Sequence, residues 1–260
     1  MSDIPQVQVY ICPVSRVPDN HLILSHYLSF LNAAEKLRYD QYLPQAARLF
    51  LISRVLTKSV LADKLGISAH QVNIQLQPNG KPFVQGSKTI YFNLSHSADV
   101  IVLAVTEEGE IGVDVERVNR EFQWRRVDSV LDLSEIEWIQ ENEPIDPFSV
   151  YQRFFQIWTL KEAYIKCTGQ GMSSHLKKLN FSVFSEHIKF FDATHNAQKT
   201  EHYYFQSYIY DCNFIFSICL QQSHHIERFN MDCFQLLPCI SMHPMKPTPC
   251  RYNKLNGCNW

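Results

Sequence analysis

Apolar residues recur along this chain first with the period of a helix and then with the period of a strand, and the same change of period happens again further on. That double alternation confines the fold to mixed helix and sheet, of the α+β kind, twice over. Val7 to Cys12 alternates as a strand, and a helical pattern runs from about His21 to Phe30. Asn32 with Glu35 three residues on reads as the capped start of a second helix, which Pro44 stops. A third helix, about Gln45 to Leu65, repeats Leu49, Ile52, Val55, Leu56 and Val60 and ends at Gly66. From Val72 the period is two, with a turn at Pro78-Asn79-Gly80, strands at Thr89 to Leu94 and Val100 to Thr106, and a hairpin turn at Glu107 to Glu110 leading into the strand Ile111 to Glu116.

The second round starts at Ser134, where Glu137 three residues later has the capping-box spacing of a short helix. Pro144 and Pro147 then break the chain before a long helix, about Ser149 to Cys167. After Gly169 and Gly171, the segments Lys178 to Phe184, Ile188 to Phe191, His202 to Tyr210 and Asn213 to Leu220 read as antiparallel strands. Hydrophobic residues make up 45% of the 260, which is enough for a sizeable core and excludes disorder of the whole chain. A formal charge of −2 excludes bulk attraction to nucleic acid or membrane, so a basic site must be local. Met1 to Tyr10 has neither the basic nor the apolar segment of a secretory leader, and the longest apolar runs are strand-sized, so a soluble cytoplasmic protein with reduced thiols is expected. Cys233, Cys239, Cys250 and Cys258 crowd the final stretch with His243, but their gaps form no CxxC knuckle, and a ragged tail is expected there rather than a zinc site.

Three constellations could carry chemistry. Asp114 and Glu116 lie at i and i+2 of a strand and so project to one face, while Val113 and Val115 point the other way. Two carboxylates held that close call for a cation, and hard oxygen ligands suit magnesium, which commonly shares phosphate oxygens; a solvated strand end is the plain alternative. On the long helix, Trp158, Glu162 and Lys166 form one stripe at i, i+4 and i+8, offering an aromatic anchor, a metal ligand and a cation; taken alone, Glu162 and Lys166 are an ordinary surface ion pair. Asn93-Leu94-Ser95-His96-Ser97, just beyond a strand, offers donors to an anion such as a pyrophosphate, or else a simple turn with a packed histidine. Lys81 and the helical arginines Arg48 and Arg54 are further cations.

In this order and at these separations, the Gly80-Lys81-Pro82 turn, Asn-x-Ser-His-Ser, Gly-Val-Asp-Val-Glu at 112 to 116, and Trp-x-x-Lys-Glu-Ala-x-x-Lys at 158 to 166 resemble the signatures of the Sfp-type 4′-phosphopantetheinyl transferases. The resemblance covers about residues 5 to 225 and does not reach the tail. It implies two similar α/β halves about a pseudo-two-fold axis, here 1–112 and 113–225, with the cysteine-bearing tail 226–260 left over. It implies that coenzyme A lies between the halves, that Asp114, Glu116 and Glu162 hold magnesium (Mg2+), and that Ser95, His96, Lys81 and Pro82 contact coenzyme A. Lys166 would stabilise the departing adenosine 3′,5′-bisphosphate, and Arg48 and Arg54 would lie near the 3′-phosphate. The implied reaction transfers phosphopantetheine to a serine of an apo acyl carrier protein or peptidyl carrier domain, the work of a holo-[acyl-carrier-protein] synthase acting as a monomer. The base is left open between Glu162, Glu137 and a metal-bound water. Arg117, Arg120, Arg125 and Arg126 would suit an acidic carrier helix. A non-catalytic carrier-binding protein on the same fold is the alternative; a decayed copy would be expected to have lost one of Asp114, Glu116, Glu162 or Lys166.

Overall fold

The computed structural model describes residues 4–87, 89–119, 121, 130–141, 147–171, 176–184, 187–193, 202–226 and 228–250. The first round of periodicity becomes a strand, β1 (Gln6–Pro13), three helices, α1 (His21–Ser29), α2 (Ala33–Asp40) and α3 (Pro44–Leu65), a small hairpin of β2 (Ile74–Leu76) and β3 (Pro82–Val84), and two long strands, β4 (Tyr91–Ser97) and β5 (Val100–Thr106). The second becomes β6 (Ile111–Arg117), α4 (Leu133–Gln140), α5 (Pro147–Thr168), the pair β7 (Leu179–Val183) and β8 (Ile188–Asp192), and the hairpin β9 (Tyr203–Tyr210) and β10 (Phe214–Gln221).

Strand alternation sorts the apolar side chains into layers. Tyr10, Cys12, Ile101, Leu103 and Val105 face Leu51, Ile52, Val55 and Leu56 of α3. Their neighbours Val7, Val9, Ile11, Val102 and Ala104 face Val113, Val115, Phe216 and Ile218 of the second sheet. That sheet is covered on its far side by α5, through Ile157, Leu160, Tyr164 and Ile165 against Ile215 and Cys219. The order is therefore helix, sheet, sheet, helix, and β1 and β5 are buried on both faces.

Five expectations from the sequence are corrected. β5 and β6 are not a hairpin: β5 pairs with β1 and β4, whereas β6 pairs with β10, because the connection at Glu107 to Glu110 carries the chain across to the other sheet. The cap of α4 is Asp132 with Glu135, not Ser134 with Glu137, since Glu135 has an ion pair to make at that position. Asn-x-Ser-His-Ser lies within β4 rather than beyond a strand. The tail is not ragged up to residue 250: β11 (Asn230–Leu237) pairs in parallel with β1, β12 (Ser241–Met245) pairs with β11, and β13 (Thr248–Pro249) pairs with β9, so this segment adds strands to both sheets. The Tyr27 hydroxyl donates to Pro238 O at 2.5 Å, tying it to α1 as well. Cys12, Cys167, Cys219, Cys233, Cys239 and Cys250 are free thiols, while Cys212 is disulfide-bonded, contrary to the expectation of reduced thiols throughout. Among the described residues, no helix is long and apolar enough to cross a membrane.

One polar device occurs in both rounds. Glu35 closes the capping box of α2 and receives Lys58 Nζ of α3 at 2.6 Å, while the same ammonium donates to Phe30 O at 2.8 Å. Glu135 closes the capping box of α4 and receives Lys161 Nζ of α5 at 2.6 Å, while that ammonium donates to Val130 O at 2.7 Å. Each glutamate fixes a short helix onto the 22-residue helix that follows it. Removing one partner strands a buried charge, so Glu35→Ala and Glu135→Ala are each expected to cost about 3–5 kcal/mol in urea unfolding, and losses under about 1 kcal/mol would contradict this account.

Candidate active site

The site begins with a glycine. A β-carbon on Gly112 would stand 2.0 Å from Ala163 O and 2.4 Å from Cys167 N, so α5 lies directly on the backbone of β6 with no side chain between them. Two residues further on, Asp114 leaves β6 on the face that meets the Trp158, Glu162, Lys166 stripe of α5. These residues, with Glu116, Leu94, Ser95 and His96, line a cavity of about 320 Å³.

The edge strand β4 holds the carboxylates in place with every second side chain. Asn93 Oδ1 accepts Val113 N at 3.0 Å, Ser95 Oγ donates to Asp114 Oδ1 at 2.8 Å, and Ser97 Oγ donates to Glu116 Oε2 at 2.7 Å. Lys166 Nζ donates to Asp114 Oδ1 at 2.6 Å and to Ser95 Oγ at 2.8 Å. Trp158 also hydrogen-bonds Glu116. Two buried acceptors, Asp114 Oδ2 and Glu162 Oε1, have no hydrogen-bond partner. A buried carboxylate oxygen left without a donor is costly and calls for an ion or a ligand to satisfy it.

Burial raises all three carboxyl groups above the ordinary range. For Asp114, burial outweighs the attraction of Lys166; for Glu116, burial is opposed by the Ser97 bond and reinforced by Asp114; for Glu162, the charge of Asp114 adds to burial. A raised carboxyl value makes the native state relatively more stable at acid pH, and that advantage is lost as pH rises through the folded-state value. A dication would remove this strain, and an all-oxygen donor set with two orphaned atoms fits magnesium. Among the described residues no three such side chains are already closed around one point. Glu162→Gln should leave the melting temperature of the metal-free protein unchanged near pH 4 and raise it by about 2 °C at pH 7.5. Thermal scans that show no gain at neutral pH would contradict the repulsion.

On the other side of β4, a cavity of about 390 Å³ is lined by Arg38, Tyr42, Phe50, Arg54, Pro82, Phe92 and His96 among others. Arg38 and Arg54 place their guanidinium carbons 5.5 Å and 5.4 Å from the centroid of the Phe50 ring. His96 lines both cavities, and burial followed by the charge of Lys166 lowers its pKa.

Asp114, Glu116, Glu162, Lys166, Ser95 and His96 are thus brought together, and Arg54 and Pro82 line the adjoining cavity. Four residues singled out in the sequence lie elsewhere or are committed elsewhere. Arg48 is engaged with Asp19 Oδ1 at 3.1 Å and Val17 O at 2.5 Å, facing a separate cavity under α1. The Lys81 amine is turned inward onto Glu110 and Cys167 O, away from both cavities. Glu137 is exposed on α4 and does not line the carboxylate cavity, because its helix turns Glu135 inward instead. Arg117 is exposed at the end of β6, while Arg120, Arg125 and Arg126 lie outside the described residues. Asn93 and Ser97, read as part of an anion-donor segment, instead bond Val113 N and Glu116, and one residue was missed, Arg38, whose i+4 neighbour Tyr42 shares its cavity.

A carboxylate trio beside a lysine and an adjoining basic, aromatic-lined cavity together offer the donors and charges that a phosphorylated ligand needs. The family comparisons narrow it. Residues 110–221 match the model of the 4′-phosphopantetheinyl transferase superfamily, and residues 18–108 match that of the 4′-phosphopantetheinyl transferase N-terminal region. The chain belongs to the 4′-phosphopantetheinyl transferase superfamily. It is 28% identical over 179 residues to a putative 4′-phosphopantetheinyl transferase of Synechocystis sp., covering 68% of this chain and 70% of that one. It is 30% identical over 150 residues to the 4′-phosphopantetheinyl transferase psf-1 of Bacillus pumilus, covering 58% and 61%. It is 28% identical over 163 residues to the human L-aminoadipate-semialdehyde dehydrogenase-phosphopantetheinyl transferase, covering 57% and 52%. The matched region therefore spans between about half and 70% of the length of these relatives.

Proposed function

We propose that this chain is an Sfp-type enzyme that transfers the 4′-phosphopantetheine of coenzyme A to a serine hydroxyl of an apo acyl or peptidyl carrier protein, with magnesium. The observation that carries the reading is the pair of buried, unpartnered oxygens, Asp114 Oδ2 and Glu162 Oε1, on residues that share a cavity with Lys166, next to a second cavity lined by Arg38 and Arg54. Asp114, Glu116 and Glu162 would hold magnesium, which when bound neutralises phosphate charge and stabilises the leaving oxygen.

The residues present suit each part of such a transfer. Arg38, Arg54 and His96 offer positive charge and hydrogen bonds to the phosphates of coenzyme A, and Pro82, Phe92 and Tyr42 offer apolar walls to its adenosine. The serine oxygen forms its bond to the β-phosphorus as the bond to the adenosine 3′,5′-bisphosphate oxygen breaks, and Lys166 donates to that departing phosphate. Glu162, a magnesium ligand in this reading, would also accept the serine proton through an oxygen that faces the serine. The exposed Arg117 offers charge to an acidic carrier helix. Two halves about a pseudo-two-fold axis belong to this reading, and the Glu35–Lys58 and Glu135–Lys161 pairs, set at equivalent places in the two rounds, support it.

The test mixes the protein with coenzyme A, an apo carrier protein and magnesium and reads the intact mass of the carrier. A phosphopantetheine-sized gain that needs magnesium and falls by at least about 100-fold in rate for Glu162→Ala is expected. No gain on fatty acid, polyketide or peptide carriers would favour a carrier-binding protein without catalysis.

A further inference from the structure

Lys81 is a lysine with almost no access to solvent, its side chain 5% exposed, in a turn at the tip of a surface hairpin. The turn is built for it: Gly80 N and Lys81 O close on Gln77, and Lys81 N donates to Asn79 Oδ1 at 3.1 Å. From there the Lys81 ammonium donates to Glu110 Oε2 at 2.5 Å and to Cys167 O at 2.6 Å. The second acceptor is one of the carbonyls that the C-terminal end of α5 leaves without an intrahelical partner, at the negative pole of the helix. Asn79 acts on the same place, because its amide stands where a β-carbon of Gly169, the left-handed residue just past the helix, would be.

The two partners of Lys81 sit at two particular points of the chain. Glu110 immediately precedes β6, which carries Asp114 and Glu116, and Cys167 immediately follows Lys166 on α5, which also carries Glu162. Cys167 Sγ donates to Glu110 O at 3.2 Å, so the two points also touch directly. Gly112 lets helix and strand approach to backbone contact between these anchors and the carboxylates. The hairpin thus holds in register the two elements whose spacing sets the distance between the carboxylates.

We propose that Lys81 is a positioning residue for the magnesium site, acting through Glu110 and Cys167 O, and does not contact coenzyme A. The inference rests on the metal reading given above. Losing a residue that orients metal ligands without touching the metal typically costs about 10–100-fold in metal affinity, and about tenfold is expected here.

The experiment measures Mn2+ binding by the loss of its free electron-paramagnetic-resonance signal, and coenzyme A binding without metal by calorimetry, for the wild type, Lys81→Met, Lys81→Arg and Glu110→Gln. The expected result is about tenfold weaker Mn2+ binding for Lys81→Met and Glu110→Gln, partial recovery in Lys81→Arg, and coenzyme A affinity within about twofold of wild type throughout. Unchanged Mn2+ affinity in Glu110→Gln, or coenzyme A affinity that falls as much as that for Mn2+, would overturn the proposal. Glu110→Gln keeps the test decisive if Lys81→Met fails to fold, since Glu110 is 38% exposed and glutamine keeps its size and shape. A wild type that binds no Mn2+, or binds it equally in Glu162→Ala, would instead sink the metal reading itself.

Discussion

Everything in the site depends on how closely α5 lies on β6. Gly112 removes the side chain that would separate them, and the helix then brings Glu162 and Lys166 over the pair of carboxylates on the strand. The core around this contact is apolar and close-packed, so a shift of the helix would be felt throughout the second layer. The buried Glu135–Lys161 pair fixes the flank of α5 one residue before Glu162, and Lys81 fixes its end. The structure spends buried charge on both, a choice that favours a single defined geometry over maximal stability.

The like charges at the centre work against the fold until something neutralises them. Lys166 answers Asp114 on one oxygen only, and the buried Asp114 Oδ2 and Glu162 Oε1 are left without donors beside the cavity. In the proposed function, a site that is strained when empty and relaxed when filled would couple the metal to the coenzyme phosphates, since both supply what the carboxylates and arginines lack. Strand β4 links the two ligand spaces: its odd-numbered side chains Asn93, Ser95 and Ser97 bond to β6, while its even-numbered His96 points into the cavity lined by Arg38 and Arg54.

The sequence showed what period and spacing can show. Helices α3 and α5, strands β5 and β6, and the carboxylate and lysine positions were legible, because amphipathic periodicity and i, i+2 or i, i+4 spacing follow from local geometry. Pairing across the molecule was not. Nothing local tells β6 to leave β5 for β10, or the stretch Asn230–Leu237 to lie parallel to β1. Asp132 with Glu135 and Ser134 with Glu137 share the same capping spacing, and only the buried Lys161 decides between them. Lys81 read as a cation beside a turn, and the partners that bury it lie 29 and 86 residues away. Arg48 and Arg54 looked alike on one helix, yet six residues of rotation and the pull of Asp19 send them to different cavities.

The most direct test of the central claim is a crystal structure with coenzyme A and Mn2+, read by the anomalous signal of the metal. The account predicts one peak within ligand distance of Asp114 Oδ2 and Glu162 Oε1, with Lys166 drawn from Asp114 towards the diphosphate. A peak elsewhere, or a diphosphate bound while Lys166 keeps its bond to Asp114 and no metal enters, would contradict it.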